Sequence, residues 1–197
     1  MRSNIFLACV VLVSLVSCQA ADRPVRQPGR PTSSPAVTPK PAAPARLTVE
    51  GWGPLRIGMT RAEVVAAAGD DAHPDAVGGP DPESCDQFRP ARAPEGMLVM
   101  IEHDRLTRIT LSRGSAVETE HGFHVGDAAA EIKTALGARA VASPHEYGAP
   151  PSEYLTLWTR PPTDPDPRGI VYEIGPDGRV MHVHAGGSSI QYVEGCL

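Results

Sequence analysis

The chain has 197 residues, a formal net charge of −5 at neutral pH and only 5% aromatic residues. Charge is uneven: residues 47–197 hold 12 basic and 22 acidic residues, while residues 19–46 carry five basic residues and one acid, Asp22. An acidic folded part argues against a nucleic-acid partner, and a basic tether suits an anionic membrane surface.

Arg2 precedes a twelve-residue apolar run, residues 5–16, interrupted only by Ser14. It is short for a membrane span. The run ends in Leu15-Val16-Ser17-Cys18. This tetrapeptide resembles the lipobox of bacterial lipoproteins. The resemblance implies a signal peptide over residues 1–17, cleavage before Cys18, and a diacylglycerol thioether on the Cys18 sulfur, usually with an acyl group on the new N-terminus. An ordinary secretory signal with a chance cysteine is the alternative. No twin arginine is present, which favours the general secretion route. By the sorting rule of that family, Gln19 rather than Asp at the next position favours the outer membrane, facing the periplasm, in a cell with two membranes. In other cells the outer face of the plasma membrane is implied. Several acyl chains anchor firmly, since each buried methylene adds ~0.8 kcal/mol.

The stretch 18–46 follows, with seven prolines between residues 19 and 46. It has no apolar periodicity and cannot build a core. A semi-rigid spacer is expected, reaching at most ~3.1 Å per residue. Of four cysteines, Cys9 leaves with the signal peptide and Cys18 takes lipid. Cys85 and Cys196 remain, and in an exported, oxidising setting a disulfide between them is expected. Two free thiols or a metal site are the alternatives, the latter weakened by the lack of a Cys-x-x-Cys pair.

The stretch GPLRIGMTRAEVVAAAG, residues 53–69, lies over HGFHVGDAAAEIKTALG, residues 121–137, at a constant offset of 68. Gly58 then matches Gly126, Ala62 matches Ala130, Glu63 matches Glu131, Val64 matches Ile132, Ala67 matches Ala135 and Gly69 matches Gly137. Each copy precedes two strand-like runs joined by a turn, from Gly96 and from Gly169. Two tandem units are expected, 47–116 and 117–197. In the first, Thr60 and Glu63 form a capping box and Met59 and Val64 occupy the staple positions. Gly69 suits the C-terminal cap. In the second, Asp127 is expected to cap, with Glu131 in the first turn and Gly137 at the end. Glu63 and Glu131 are thus read as helix punctuation rather than as a catalytic carboxylate pair. No Walker phosphate loop occurs.

Asp177-Gly178 suits a type I′ hairpin turn. Pairing across it places Ile170, Tyr172 and Ile174 with Met181, Val183 and Ala185 toward the helices. Val171, Glu173, Val180, His182 and His184 then face the other way. If Leu155 and Leu157 point inward, Tyr154, Thr156 and Trp158 point outward. In the first unit, alternation groups Leu98, Met100, Ile109 and Leu111 on one face, and Val99, Ile101, Leu106 and Arg108 on the other. The fold class is α+β: two tandem repeats, each with short helices on one face of an antiparallel meander. The second face is left open to solvent or a partner.

The residues 57–64 with Gly69, and Val125, Gly126, Glu131, Ile132 and Gly137, resemble a recurring helix-start motif. It is similar to that of the tandem-repeat β-lactamase-inhibitory protein family and of the small lipoprotein of the outer-membrane β-barrel assembly machinery. The resemblance implies a helix pair packed on an antiparallel meander. The ending Tyr192-Val-Glu-Gly-Cys196, with an upstream cysteine, is also similar to a broad set of bacterial envelope proteins. No contact residues of either family carry over to this sequence.

Signatures of chemistry are sparse. His182 and His184 lie two apart on one strand face near Glu173, which a zinc or copper site could use. A solvated sheet face is the expected reading, with no metal and no cofactor. His121, His124 and His103 have no metal-like spacing, and Gly186-Gly-Ser-Ser189 is no nucleophile elbow. The expectation is a non-enzymatic, lipid-anchored envelope module that binds an envelope protein. Tyr154, Trp158, Glu173, His182 and His184 form the candidate binding face. An inhibitor of an exported hydrolase and a histidine-based metal-binding protein are the alternatives.

Overall fold

A computed structural model describes residues 45–75 and 78–196. The expected signal peptide, Cys18 as the expected lipidation site, and most of the proline-rich stretch lie outside the described residues. Among the described residues, no helix is long and apolar enough to cross a membrane.

The architecture is α+β, one large antiparallel sheet with two short α-helices. A two-residue pair, β1 (Gly51–Trp52) and β2 (Leu55–Arg56), leads into α1 (Arg61–Ala68). Then come β3 (Cys85–Phe88), β4 (Met97–Glu102), β5 (Arg105–Leu111) and α2 (Ala129–Leu136). β6 (Val141–Pro144), β7 (Glu153–Arg160), β8 (Arg168–Ile174) and β9 (Val180–Gly186) complete the set. The sheet order is β3-β4-β5-β9-β8-β7-β6. The N-terminal three strands therefore join the C-terminal four edge to edge, β5 against β9, with Ile109 opposite Ala185 and Leu111 opposite Val183. One apolar core runs under both, from Leu55, Val64 and Ile109 to Ile132, Tyr172 and Val183.

The helix starts are built from local chemistry. Thr60 Oγ1 accepts from the Glu63 amide at 3.2 Å, and Glu63 Oε2 accepts from the Thr60 amide at 2.8 Å. Two first-turn donors are thereby satisfied. Asp127 does not cap α2 as expected. The residue at the cap is Ala128, which has no side-chain bond. Asp127 is held elsewhere: its Oδ2 accepts from the His124 amide, and its carbonyl accepts from Val180. A carbonyl of the β8–β9 turn serves the helix instead, Gly178 accepting from the Ala129 amide at 3.0 Å.

The two helix starts dock on their hairpins through the same bonds. The Gly58 amide donates to Leu106, and the Leu106 amide donates to Met59, both at 2.7 Å. The Gly126 amide donates to Val180, and the Val180 amide donates to Asp127, both at 2.9 Å. Arg105 Nη1 donates to the Gly58 carbonyl and Arg179 Nη1 to that of Gly126.

Strand register departs from simple alternation in both hairpins. The two-residue turn with left-handed central residues is at His103 (φ 46°) and Asp104 (φ 61°), as a type I′ turn requires. At the other hairpin only Gly178 (φ 74°) is left-handed, and Gly175 donates to Arg179 across a three-residue loop. Soon after each turn the pairing slips by one residue. Ile101 pairs Leu106 but Met100 pairs Arg108; Ile174 pairs Val180 but Glu173 pairs His182. An extra residue flips every side chain beyond it. Val180, not Met181, therefore joins the core. Val99, Ile101 and Leu106 share the core face with Ile109 and Leu111, while Met100 and Arg108 point outward.

The outward face is not left open as expected. A 3-10 helix, Ser188–Gln191, and the residues after it fold back across β5, β9 and β8. Ile190 and Ser189 are buried there, as are Met100, Arg108 and Val171 beneath. A disulfide between Cys196 and Cys85 ties the end of this segment to β3. With the cysteines 111 positions apart, chain-entropy arguments give the link roughly 4–5 kcal/mol. Such a cysteine pair fits a secreted protein.

Candidate functional site

Cross-strand register assembles a polar cluster on the outward face. One row runs Ser143, Tyr154, Glu173, His182 across β6 to β9. The next row runs Thr156, Val171, His184, Thr110 across β7, β8, β9 and β5. Residues directly opposite on neighbouring strands bring their Cβ atoms to roughly 4.5–5.5 Å. Glu173 therefore has His182 beside it and His184 one row over.

Glu173 is the centre. Its Oε2 lies 2.9 Å from His182 Nδ1 and 3.3 Å from His184 Nε2. Its Oε1 lies 3.0 Å from Nε2 of a third histidine, His145. His145 sits in the loop after β6, its ring stacked on Tyr154 at 4.7 Å and 14°. The Tyr147 and Gly148 amides both donate to its Nδ1, at 3.1 and 3.0 Å. Nδ1 is thus an acceptor, so the proton sits on Nε2 and is donated to Glu173. On the far side, His184 Nδ1 meets Thr110 Oγ1 at 2.9 Å.

Burial differs within the cluster. The side chains of Glu173, His145 and His184 are largely enclosed, whereas that of His182 is 39% exposed. Burial pushes the Glu173 carboxyl up, but hydrogen bonds from His182, His184 and His145 together outweigh it and hold it well below the usual carboxylate range. Burial pulls His184 down to about 4, against the raising effect of its bond to Glu173; the Arg108 charge adds to the lowering. At neutral pH the centre is an ionised carboxylate beside a neutral, buried imidazole.

A pocket of about 130 Å³ opens over this centre, walled by Ser143, Tyr154, Thr156 and Val171 below and by Ile190, Tyr192 and Val193 of the C-terminal segment above. That is smaller than typical pockets for drug-sized ligands. Its surroundings are apolar and exposed. Tyr147, Tyr192 and Val193 are each 45–70% exposed, and the Tyr147 hydroxyl bonds Glu194. Val141, also exposed, lies two residues from Ser143, on the same side of β6.

Of the expected binding face, Tyr154, Glu173, His182 and His184 come together. Trp158 does not. It packs over Gly169, where an added Cβ would fall 2.7 Å from Trp158 Cε3 and 2.9 Å from Ile190 Cδ1. The Trp158 ring and Ile190 thus both crowd the space over Gly169. His145, Thr110 and the C-terminal wall were not expected from sequence. Among the described residues, Glu173, His182 and His184 form the one group of this kind whose potential metal-ligand atoms all lie within 4.8 Å of one another.

No protein-family model and no curated protein matches the chain. Two solved structures show distant likeness. An extracellular protein containing a SCP domain from Bacillus anthracis str. Ames aligns at TM-score 0.42 and 7% identity, covering 67% of this chain and 44% of that one. The DUF4309 family protein YjgB from Bacillus subtilis subsp. subtilis str. 168 aligns at TM-score 0.41 and 18% identity, covering 66% and 78%. The chain thus spans less than half the length of the first. Likeness at this level carries no conclusion about activity or partners.

The depressed His184 value sets a pH dependence. The unfolded chain takes up a proton near the ordinary 6.5, whereas the folded site resists it down to about 4. Stability is full above about pH 6.5 and declines as pH falls through that window, by an amount on the order of 3 kcal/mol. In buffer with a chelator, thermal melts of wild type should drop more between pH 7 and pH 4 than those of His184→Gln. Parallel curves for the two proteins would contradict this.

Proposed function

We propose that this chain is a lipid-anchored bacterial envelope protein whose folded part is a non-catalytic protein-binding module. The observation that carries the reading is the grouping of exposed apolar side chains. Of the four large hydrophobics that are exposed among the described residues, Tyr192 and Val193 line one pocket, Val141 pairs with Thr156 of its wall, and Tyr147 bonds Glu194 next to Val193. Exposed aromatics gathered in one place favour a protein interface. A folded domain that is acidic overall, behind a basic and proline-rich tether, supports presentation of this patch away from an anionic membrane.

Descent of the domain from two copies of one unit belongs to the same reading. It is supported by helices of equal length 68 residues apart and by the matched bonds of Gly58 and Gly126 to their hairpins. The resemblance to the inhibitory-protein and assembly-lipoprotein families adds an analogy of fold, not of partner.

Two experiments test the proposal. Cys18→Ser should release the protein from membranes on fractionation; firm anchoring of that variant would refute lipidation at Cys18. A photo-crosslinking residue placed at Tyr147 or Tyr192 should give one discrete protein adduct in intact cells, and one placed at Glu131 on α2 should give none. No adduct, or the same adducts from all three positions, would count against the patch as the interface.

A further inference from the structure

The Glu173 cluster contains more order than an ion-pair network on a sheet face requires. The carboxylate has two oxygens, and each has a distinct set of neighbours. Oε1 is engaged by His145, whose tautomer is fixed by two backbone amides. Oε2 faces two imidazole nitrogens, from His182 and His184. One oxygen is thus held in place, and the other converges with two nitrogens on one point.

Those spacings match a coordination sphere. Zinc holds imidazole nitrogen and carboxylate oxygen at about 2.0–2.2 Å, which puts neighbouring ligand atoms of a tetrahedron roughly 3.3 Å apart. The two contacts to Oε2 are 2.9 and 3.3 Å. His182 is the exposed member, so its ring can turn by the few tenths of an ångström needed. Behind His184, Thr110 Oγ1 lies on the ring nitrogen that points away from Glu173. Metal-binding histidines characteristically donate their second N–H to such an acceptor. A hydroxyl serves either tautomer, donating to Nδ1 when His184 bonds Glu173 and accepting from it when Nε2 is free. His182 can move its proton to the solvent-facing nitrogen. Both rings can thus turn lone pairs toward the centre by a change of tautomer.

We infer that His182 Nδ1, His184 Nε2 and Glu173 Oε2 bind one zinc-type divalent cation, with His145 and Thr110 as positioning residues and a fourth coordination position open to the pocket beside Tyr154. Two nitrogens and one oxygen select a borderline first-row ion over magnesium or calcium, which take oxygen ligands. The sequence offers the His-x-His pair with Glu173 across the hairpin; the loop after β6 brings His145 and β5 brings Thr110. The inference needs neither the lipid nor a protein partner, so its outcome is separable from that of the binding-module reading.

Calorimetric titration of the full chain in detergent with zinc chloride should show one tight site per chain, and magnesium chloride should show none. His182→Ala, a change at a partly exposed position, should weaken zinc binding more than about 100-fold, beyond what loss of an outer partner costs. His145→Phe keeps a ring against Tyr154 but removes the donor, and should weaken binding roughly 10- to 100-fold. It should also alter the visible spectrum of the cobalt-loaded protein. His73→Ala, at an exposed histidine outside the cluster, should bind as wild type. A chain that takes up no stoichiometric zinc overturns the inference, as does unchanged affinity in a folded His182→Ala protein. Loss of binding in His73→Ala would overturn it too.

Discussion

A guanidinium buried in the face of a sheet must find acceptors, and the whole outward side of this protein is arranged around that requirement. Arg108 is 3% exposed. Its Nη1 donates to the carbonyls of Ser189 and Tyr192 at 3.0 and 2.9 Å, and its Nη2 donates to Gln87 Oε1 at 2.7 Å. Burial pulls it down to about 10, which leaves it cationic at neutral pH. A buried charge stripped of its partners costs several kcal/mol. The C-terminal segment supplies two of those partners with its backbone, so the cation and the segment hold each other. The disulfide from Cys196 to Cys85 fixes the same segment at its far end.

From this clamp follow both the pocket and its electrostatics. Ile190, Tyr192 and Val193 can form a wall over β7 to β9 because the chain just before and within them is pinned to Arg108. The wall encloses His184 and most of Glu173, and it carries the exposed apolar side chains Tyr192 and Val193 outward. Arg108 also opposes a positive charge on His184. One buried cation thus favours a neutral imidazole next to an ionised carboxylate, and it positions the rim on which the proposed protein contact rests.

The parts legible in the sequence are those written in neighbouring residues. Thr60 and Glu63 cap a helix through contacts three residues apart, and Gly69 and Gly137 close the two helices at their residues of positive φ. The pairing of Glu173 with His182 was legible from the hairpin pattern, and it survived a wrong turn type because the slip lies between Glu173 and Ile174. The change of register across each bulge was not. Alternation cannot register one inserted residue, so Val180 and the partners of Ile109 were placed on the wrong face. Asp127 has the chemistry of a cap, but a long-range bond to Val180 claims its backbone. His145 and Thr110 reach Glu173 and His184 from elements 28 and 74 residues away, and no local pattern marks such meetings. The C-terminal cover had two sequence signals: a cysteine at 196 with a distant mate, and Arg108 on a strand of apolar residues, which alternation grouped with Val99, Ile101 and Leu106.

The central claim is that Arg108 holds the C-terminal segment across the sheet and so creates the site. Hydrogen exchange on Arg108→Met, compared with wild type under oxidising conditions, tests it most directly. The Ile190 and Tyr192 amides, which donate within that segment to Gly187 and Ser189, should lose protection while amides of β8 keep theirs. Unchanged protection of residues 188–192 in the variant would contradict the account.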